Sequence, residues 1–127
     1  MENNPTYRKA YKFAIRIVRA YQYLREEKKA FVLSKQILRS GTSIGANIAE
    51  ANGSISDAEF SNKISIAYKE CLETKYWLSL LEDTNYTSKN SFRSMYSDAD
   101  EIGKILFSIL RKTRIKKGEF INRRRGR

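Results

Sequence analysis

The sequence predicts an all-α protein, an antiparallel up-down-up-down four-helix bundle. Three observations carry that expectation. Apolar residues recur at alternating steps of four and three in four separate segments, the mark of one buried stripe per helix. No segment alternates apolar and polar residues with the period of two that a half-buried strand requires. Of the 127 residues only one is proline and six are glycine, too few to punctuate a turn-rich all-β chain.

Asn4-Pro5 opens the first helix as an N-cap followed by proline at the first helical position, where a missing N–H costs nothing. Ala10, Ala14, Ile17, Tyr21 and Leu24 form its stripe, widened by Phe13 and Val18, and the spacing predicts a helix over residues 5–26. The second helix is expected over 29–52, with Ile37, Gly41, Ile44, Ile48 and Ala51 in rhythm and Asn52-Gly53 as its stop. Ser56-Asp57-Ala58-Glu59 is a capping box that starts the third. Phe60, Ile64, Ala67, Cys71, Thr74, Leu78 and Leu81 hold its rhythm as far as the turn at Thr84-Asn85-Tyr86-Thr87. The fourth carries Phe92, Met95, Ala99, Ile102, Leu106 and Ile109, and its pattern fades near Thr113. Helices of about 20 residues are about 30 Å long. The connections between the first three are short, so chain neighbours run antiparallel, with crossing angles near +20° as a general expectation for such bundles. Residues 1–115 are expected to form the bundle. Residues 116–127, with Gly118, Gly126 and Arg123-Arg124-Arg125, are expected to form a flexible basic tail.

The length suits one domain that buries roughly two-thirds of its unfolded surface and needs no covalent or metal staple. Cys71 is the only cysteine and there is no histidine. An internal disulfide, a Cys/His zinc site and every histidine-based triad are therefore excluded. Glu70 and Glu73 lie one turn apart, but a di-metal bundle site needs Glu-x-x-His motifs, which are absent. Ser43, Asn47 and Glu50 offer no activated nucleophile without a base. Cys71 falls on the core stripe, where a thiol is inert. The sequence thus predicts no enzyme, no metal and no cofactor. Met1–Pro5 is polar and no apolar stretch reaches 18 residues, so a soluble, cytoplasmic protein is expected.

Gly41, Gly45, Ala49 and Gly53 fall on one ridge of the second helix at four-residue steps. Glycine inside a helix costs about 1 kcal/mol relative to alanine, and a ridge of small residues offsets that by letting a neighbouring backbone approach. Asn47, beside the Ile44/Ile48 seam, needs a hydrogen-bond partner and is a candidate for fixing helix register. On these residues the sequence resembles the 23S rRNA intervening-sequence proteins, also called the four-helix bundle protein family. The strings that carry the resemblance are Gln36–Ser40, Ser43-Ile44-Gly45-Ala46-Asn47-Ile48-Ala49-Glu50-Ala51, Lys63–Ala67 with Phe60, Lys69–Leu78 and Asp100–Leu106. One departure is Glu26-Glu27-Lys28-Lys29, which stands where a proline-containing turn is expected. The resemblance implies a non-enzymatic antiparallel bundle that assembles into a homo-oligomer, a ring of five. It also implies kinship with the accessory variability determinant of diversity-generating retroelements, which works with a reverse transcriptase and RNA.

The net charge of +11 is concentrated at the two ends of the chain. Residues 1–25 carry six bases against Glu2 alone, and residues 111–127 carry nine against Glu119 alone. At about 100° per residue, Arg8, Lys12 and Arg19 fall within about 40° of one another on the first helix. Lys9 and Arg16 widen the band, Tyr23 shares its sector, and no acid on the helix interrupts it before Glu26. Surface helices normally interleave signs, so this reads as a face for phosphates. Arg111, Lys112, Arg114, Lys116, Lys117, Arg123, Arg124, Arg125 and Arg127 make a second basic set. The helix macrodipole accounts for only the first three of these; the rest read as an arginine-rich arm for RNA or DNA. Tyr68, Tyr76, Trp77, Tyr86 and Tyr96 fit core edges or subunit contacts better than base stacking, with Trp77 the candidate for a subunit contact. Tyr11 and Ile15, off the core stripe, also suit another chain. The function expected is a nucleic-acid scaffold or chaperone acting through phosphate electrostatics, with self-association and a reverse transcriptase as partners. The alternative is an adaptor whose basic surface docks an acidic protein. A membrane surface ranks third, because the apolar stripe opposite the cations is needed for the core.

Overall fold

The structure is a computed structural model that describes the backbone of residues 4–124 and the side chains of residues 4–113. Asn4 caps α1 (Pro5–Glu26), its side-chain oxygen accepting from Tyr7 N–H at 2.9 Å. The turn that follows is made by Lys29, whose φ of 55° lies in the left-handed region, while Ala30 N–H donates to Leu24 C=O at 2.9 Å. This is how Glu26–Lys29 reverses the chain without proline, and it starts α2 (Phe31–Asn52) two residues later than the spacing suggests. Glu59 N–H donates to Ser56 Oγ at 3.1 Å and so caps α3 (Asp57–Asp83).

Asn85, at φ 64°, ends α3 with a paired cap: Tyr86 N–H donates to Leu81 C=O and Asn85 N–H to Glu82 C=O, both at 3.0 Å. Ser91 N–H reaches Ser88 Oγ at the head of α4 (Lys89–Arg124). The helical backbone of α4 runs on past Thr113, where the apolar rhythm stops. The local reason is that residues 114–124 contain no proline and only Gly118 as a weak helix former. The basic-tail expectation for 116–127 concerns side chains outside the described residues.

α1 packs on α2 and α4, and α3 packs on α2 and α4. Cross-helix pairs show the directions. Lys9 meets Glu101 and Arg16 meets Asp98, so α1 and α4 are antiparallel. Arg39 meets Glu70 and Glu50 meets Lys63, so α2 and α3 are antiparallel. Tyr68 meets Phe107 and Lys75 meets Asp100, so α3 and α4 are antiparallel. The core is the four predicted stripes brought together, except that Val18, expected to widen the first, is exposed, and Leu110 rather than Ile109 ends the fourth; Phe13, Ile17, Ile37, Ile44, Ile64, Leu78, Ile102 and Leu106 are all essentially inaccessible. A buried hydroxyl pair joins α3 to α2, the Thr74 and Ser40 oxygens lying 3.0 Å apart while Thr74 Oγ1 donates to Glu70 C=O at 2.8 Å.

The small-residue ridge does what its spacing suggests at two of its four positions. A Cβ on Gly41 would lie 2.7 Å from Ile17 Cγ1 and 2.8 Å from two more Ile17 carbons. A Cβ on Gly45 would meet the Ala10 carbonyl oxygen at 3.6 Å, an ordinary contact. Gly53 instead caps the end of α2. The two glycines therefore respond oppositely to alanine. Ile17 is buried and β-branched, with little rotamer freedom to yield, so Gly41→Ala should destabilise by about 1–3 kcal/mol. Gly45→Ala should stabilise by up to about 1 kcal/mol through helix propensity. Urea denaturation of the two variants beside the parent checks both signs.

Candidate nucleic-acid interface

Packing of the apolar stripe fixes how α1 is turned, and with it the direction of each cation. Arg8, Lys12 and Arg19 are exposed and make no hydrogen bond or ion pair with any described residue. Lys9 and Arg16, on the edge of the band nearer α4, behave differently. Lys9 Nζ meets Glu101 Oε1 at 2.7 Å. Arg16 Nη1 meets Asp98 Oδ2 at 2.5 Å, and its Nη2 donates to Ser94 Oγ at 3.0 Å. The band read from α1 alone is uninterrupted; the folded bundle supplies two carboxylates from α4 to its flank. These pairs are partly exposed, so each contributes on the order of 1 kcal/mol or less, but they cancel the charge locally.

α4 places Lys112 on its α1-facing side, in angular register with Asp98 and Glu101, and Arg111 on the side that carries Asp100 and Lys104. Both are exposed and without a partner among the described residues. Because α1 and α4 are antiparallel, they share the end of the bundle that holds Arg8. The side chains of Arg114, Lys116, Lys117, Arg123, Arg124, Arg125 and Arg127 lie outside the described residues.

Four other cations, Arg39, Lys63, Lys75 and Lys104, are held by acids, whereas Arg25, Lys28, Lys29, Lys35, Lys69, Lys89 and Arg93 meet none among the described residues. Arg39 binds Glu70 at 3.0 Å and also Glu73, which in turn accepts from Trp77 Nε1 at 2.9 Å. The Glu70/Glu73 pair thus holds an arginine, and no metal-ligating cluster occurs among the described residues. Lys75 bridges α3 to Asp100 at 2.7 Å, with Lys104 on the other carboxylate oxygen at 3.1 Å. Those hydrogen bonds, Lys75 first, hold the Asp100 carboxyl below its ordinary value, and the same bond raises Lys75.

The aromatic residues considered for stacking are engaged within the chain. Tyr68 packs on Phe107 with ring centres 5.8 Å apart, Tyr76 meets Trp77 edge-on at 5.0 Å, and Lys75 sits 5.1 Å from the Tyr96 ring. Tyr86 packs against the core. Ser43 Oγ donates to Arg39 C=O and Asn47 Nδ2 to Ser43 C=O, both within α2. The Asn47 Nδ2 group is therefore satisfied by its own helix, and the buried polar contact between α2 and α3 is made by Ser40 and Thr74 instead. Apolar side chains are exposed as Tyr11 (55 %), Ile15 (40 %) and Val18 (38 %) on α1 and as Leu72, Tyr76 and Phe107 on the α3/α4 side, with Phe31 and Val32 at the head of α2 and Ile55 before α3 exposed as well.

The family model described as 23S rRNA-intervening sequence protein matches residues 2–108. A solved structure of a protein of unknown function from the S23 ribosomal protein family of Bacteroides thetaiotaomicron is 52 % identical, with a TM-score of 0.82 over 83 % of this chain and 97 % of that one. Among curated proteins, none matches. No described helix is long and apolar enough to cross a membrane.

Cys71 is fully buried and its Sγ donates to Ala99 C=O at 2.9 Å. Burial pushes the thiol up to about 11, against a smaller opposing pull from Lys75. Iodoacetamide at pH 8 should leave Cys71 unmodified in the folded protein and alkylate it fully in urea; mass spectrometry distinguishes the two.

Proposed function

We propose that this chain, which belongs to the 23S rRNA-intervening sequence protein family, is an oligomeric nucleic-acid-binding scaffold or chaperone. It holds RNA or DNA through phosphate contacts, without base-specific readout and without an enzymatic step. The observation that supports this most is the alignment of Arg8, Lys12 and Arg19 on one exposed sector of α1, where none of the three meets an acid among the described residues while Lys9 and Arg16 beside them do. Uncompensated cations along a rigid helix suit a polyanion, because each phosphate neutralised releases condensed counterions. Arg111 and Lys112, at the Arg8 end, extend the surface.

Self-association belongs to the same reading. Exposed apolar surfaces lie on α1 and on the α3/α4 side, which are opposite faces of the bundle. Two different patches on opposite faces favour a head-to-tail contact, and head-to-tail contacts close into rings when the rotation allows. A ring of five, the assembly implied by the family resemblance, would repeat the α1 cations around a rim and multiply weak phosphate contacts. A cytoplasmic location and service to a reverse transcriptase complete the proposal, the latter resting on the resemblance alone.

Charge reversal tests it. The triple variant Arg8→Glu, Lys12→Glu, Arg19→Glu should weaken binding to a 20-base-pair duplex at low salt by about 100-fold or more, in a gel shift or by anisotropy. Neutralising the paired flank together with its partners, by Lys9→Gln with Glu101→Gln and Arg16→Gln with Asp98→Asn, leaves the local charge unchanged and should weaken it far less. Equal loss from both variants, or none from the triple, contradicts the assignment. A protein that binds no nucleic acid yet captures one acidic protein is an adaptor.

A further inference from the structure

We propose that the cleft between the C-terminal half of α1 and the start of α4 takes an unstacked base, so that the protein prefers single-stranded to duplex nucleic acid. This inference rests on the nucleic-acid reading above and narrows its ligand. The cleft has a volume of about 470 Å³, within the usual range for small-ligand sites. Its floor is apolar: Leu24, Ile37, Phe92 and Met95 are buried core residues that line it from three helices. Its rim is cationic and hydroxylic, with Arg16, Arg19 and Ser91, and no carboxylate is among its lining residues. Asp98 lies outside the cleft and holds the Arg16 guanidinium in place at 2.5 Å. Tyr23 also lines the cleft; the residue is 44 % exposed and its side chain has no partner among the described residues.

An apolar slot beside an exposed aromatic ring suits a flat heterocycle with polar edges, and the serine hydroxyls on the rim suit those edges. The neighbouring charge says what the heterocycle is attached to. Arg19 borders the cleft, and Lys12 and Arg8 continue from it along the same sector of α1 for about 16 Å. A small amphiphile with one anionic head would use Arg19 alone. A nucleic-acid strand uses the whole line, with one base seated and its neighbouring phosphates on successive cations. In a duplex the base is paired and stacked, and seating it carries the cost of extruding it.

The test compares a fluorescein-labelled 15-nucleotide single-stranded RNA, the blunt duplex of the same sequence, and an abasic strand of equal charge, by anisotropy with the full chain. Tyr23→Ala removes the ring, and Ser91→Trp, at an exposed position, fills the slot; circular dichroism verifies that both variants fold. Each should weaken the single strand about tenfold and change the duplex and the abasic strand by less than about twofold. The combination Arg8→Glu, Lys12→Glu should weaken all three ligands. Single strand, duplex and abasic strand responding alike to Tyr23→Ala and Ser91→Trp overturns the cleft while leaving the phosphate surface standing. Unchanged strand affinity with an altered oligomeric state would mean that a second copy of the chain covers the cleft, and overturns it too. A parent protein that binds none of the ligands brings down both proposals.

Discussion

The rotation of α1 about its own axis is the setting on which the rest depends, and Ile17 over Gly41 fixes it. With no Cβ at 41, the Ile17 side chain seats against the α2 backbone, and Ala10 does the same over Gly45 one turn further on. That close approach ties α1 firmly to α2 and leaves its opposite flank meeting α4 more loosely. The three exposed cations, the two paired ones and the cleft between α1 and α4 all follow from it. Turning α1 by a quarter would bury Arg8 and Lys12 or present Phe13 to water.

Electrostatics then divides the surface. The seams between α2 and α3 and between α3 and α4 carry matched charges: Arg39 with Glu70 and Glu73, Lys63 with Glu50, Lys75 with Asp100. On the α1–α4 seam the match is incomplete. Asp98 and Glu101 reach Arg16 and Lys9 and no further, so the sector holding Arg8, Lys12 and Arg19 keeps its full charge among the described residues. Exposed pairs of this kind add little stability. What they change is the field, trimming a broad band to a narrow line of three.

Much of the fold is legible in the sequence because each helix announces itself twice, by its stripe and by its ends. Asn4-Pro5 and Ser56–Glu59 mark helix starts by chemistry that needs no partner helix; the Asn4 and Ser56 side chains cap as expected, while the return bond of the capping box, from Ser56 N–H to the Glu59 carboxylate, does not form. The turn at Lys29 is not legible, since nothing in a Glu-Glu-Lys-Lys run announces a left-handed residue. The site is legible only in part. Angular position on one helix identifies the cations, but Asp98 and Glu101 lie some ninety residues away and reach them only through antiparallel packing. The cleft is beyond any single-helix reading, because its floor and rim come from α1, α2, α4 and the loop before α4. Asn47 shows the converse error: an amide beside the core seam suggests a cross-helix bond, yet its Nδ2 donates to the Ser43 carbonyl of its own helix, at 2.8 Å.

The most direct measurement of the central claim is the salt dependence of binding to a generic duplex, plotted as the logarithm of the association constant against the logarithm of salt concentration. Phosphate contacts from three unpaired α1 cations predict a straight line with a slope of about −3 or steeper, near −0.9 for each phosphate neutralised. A slope near zero, or no binding at the lowest salt, would contradict the account.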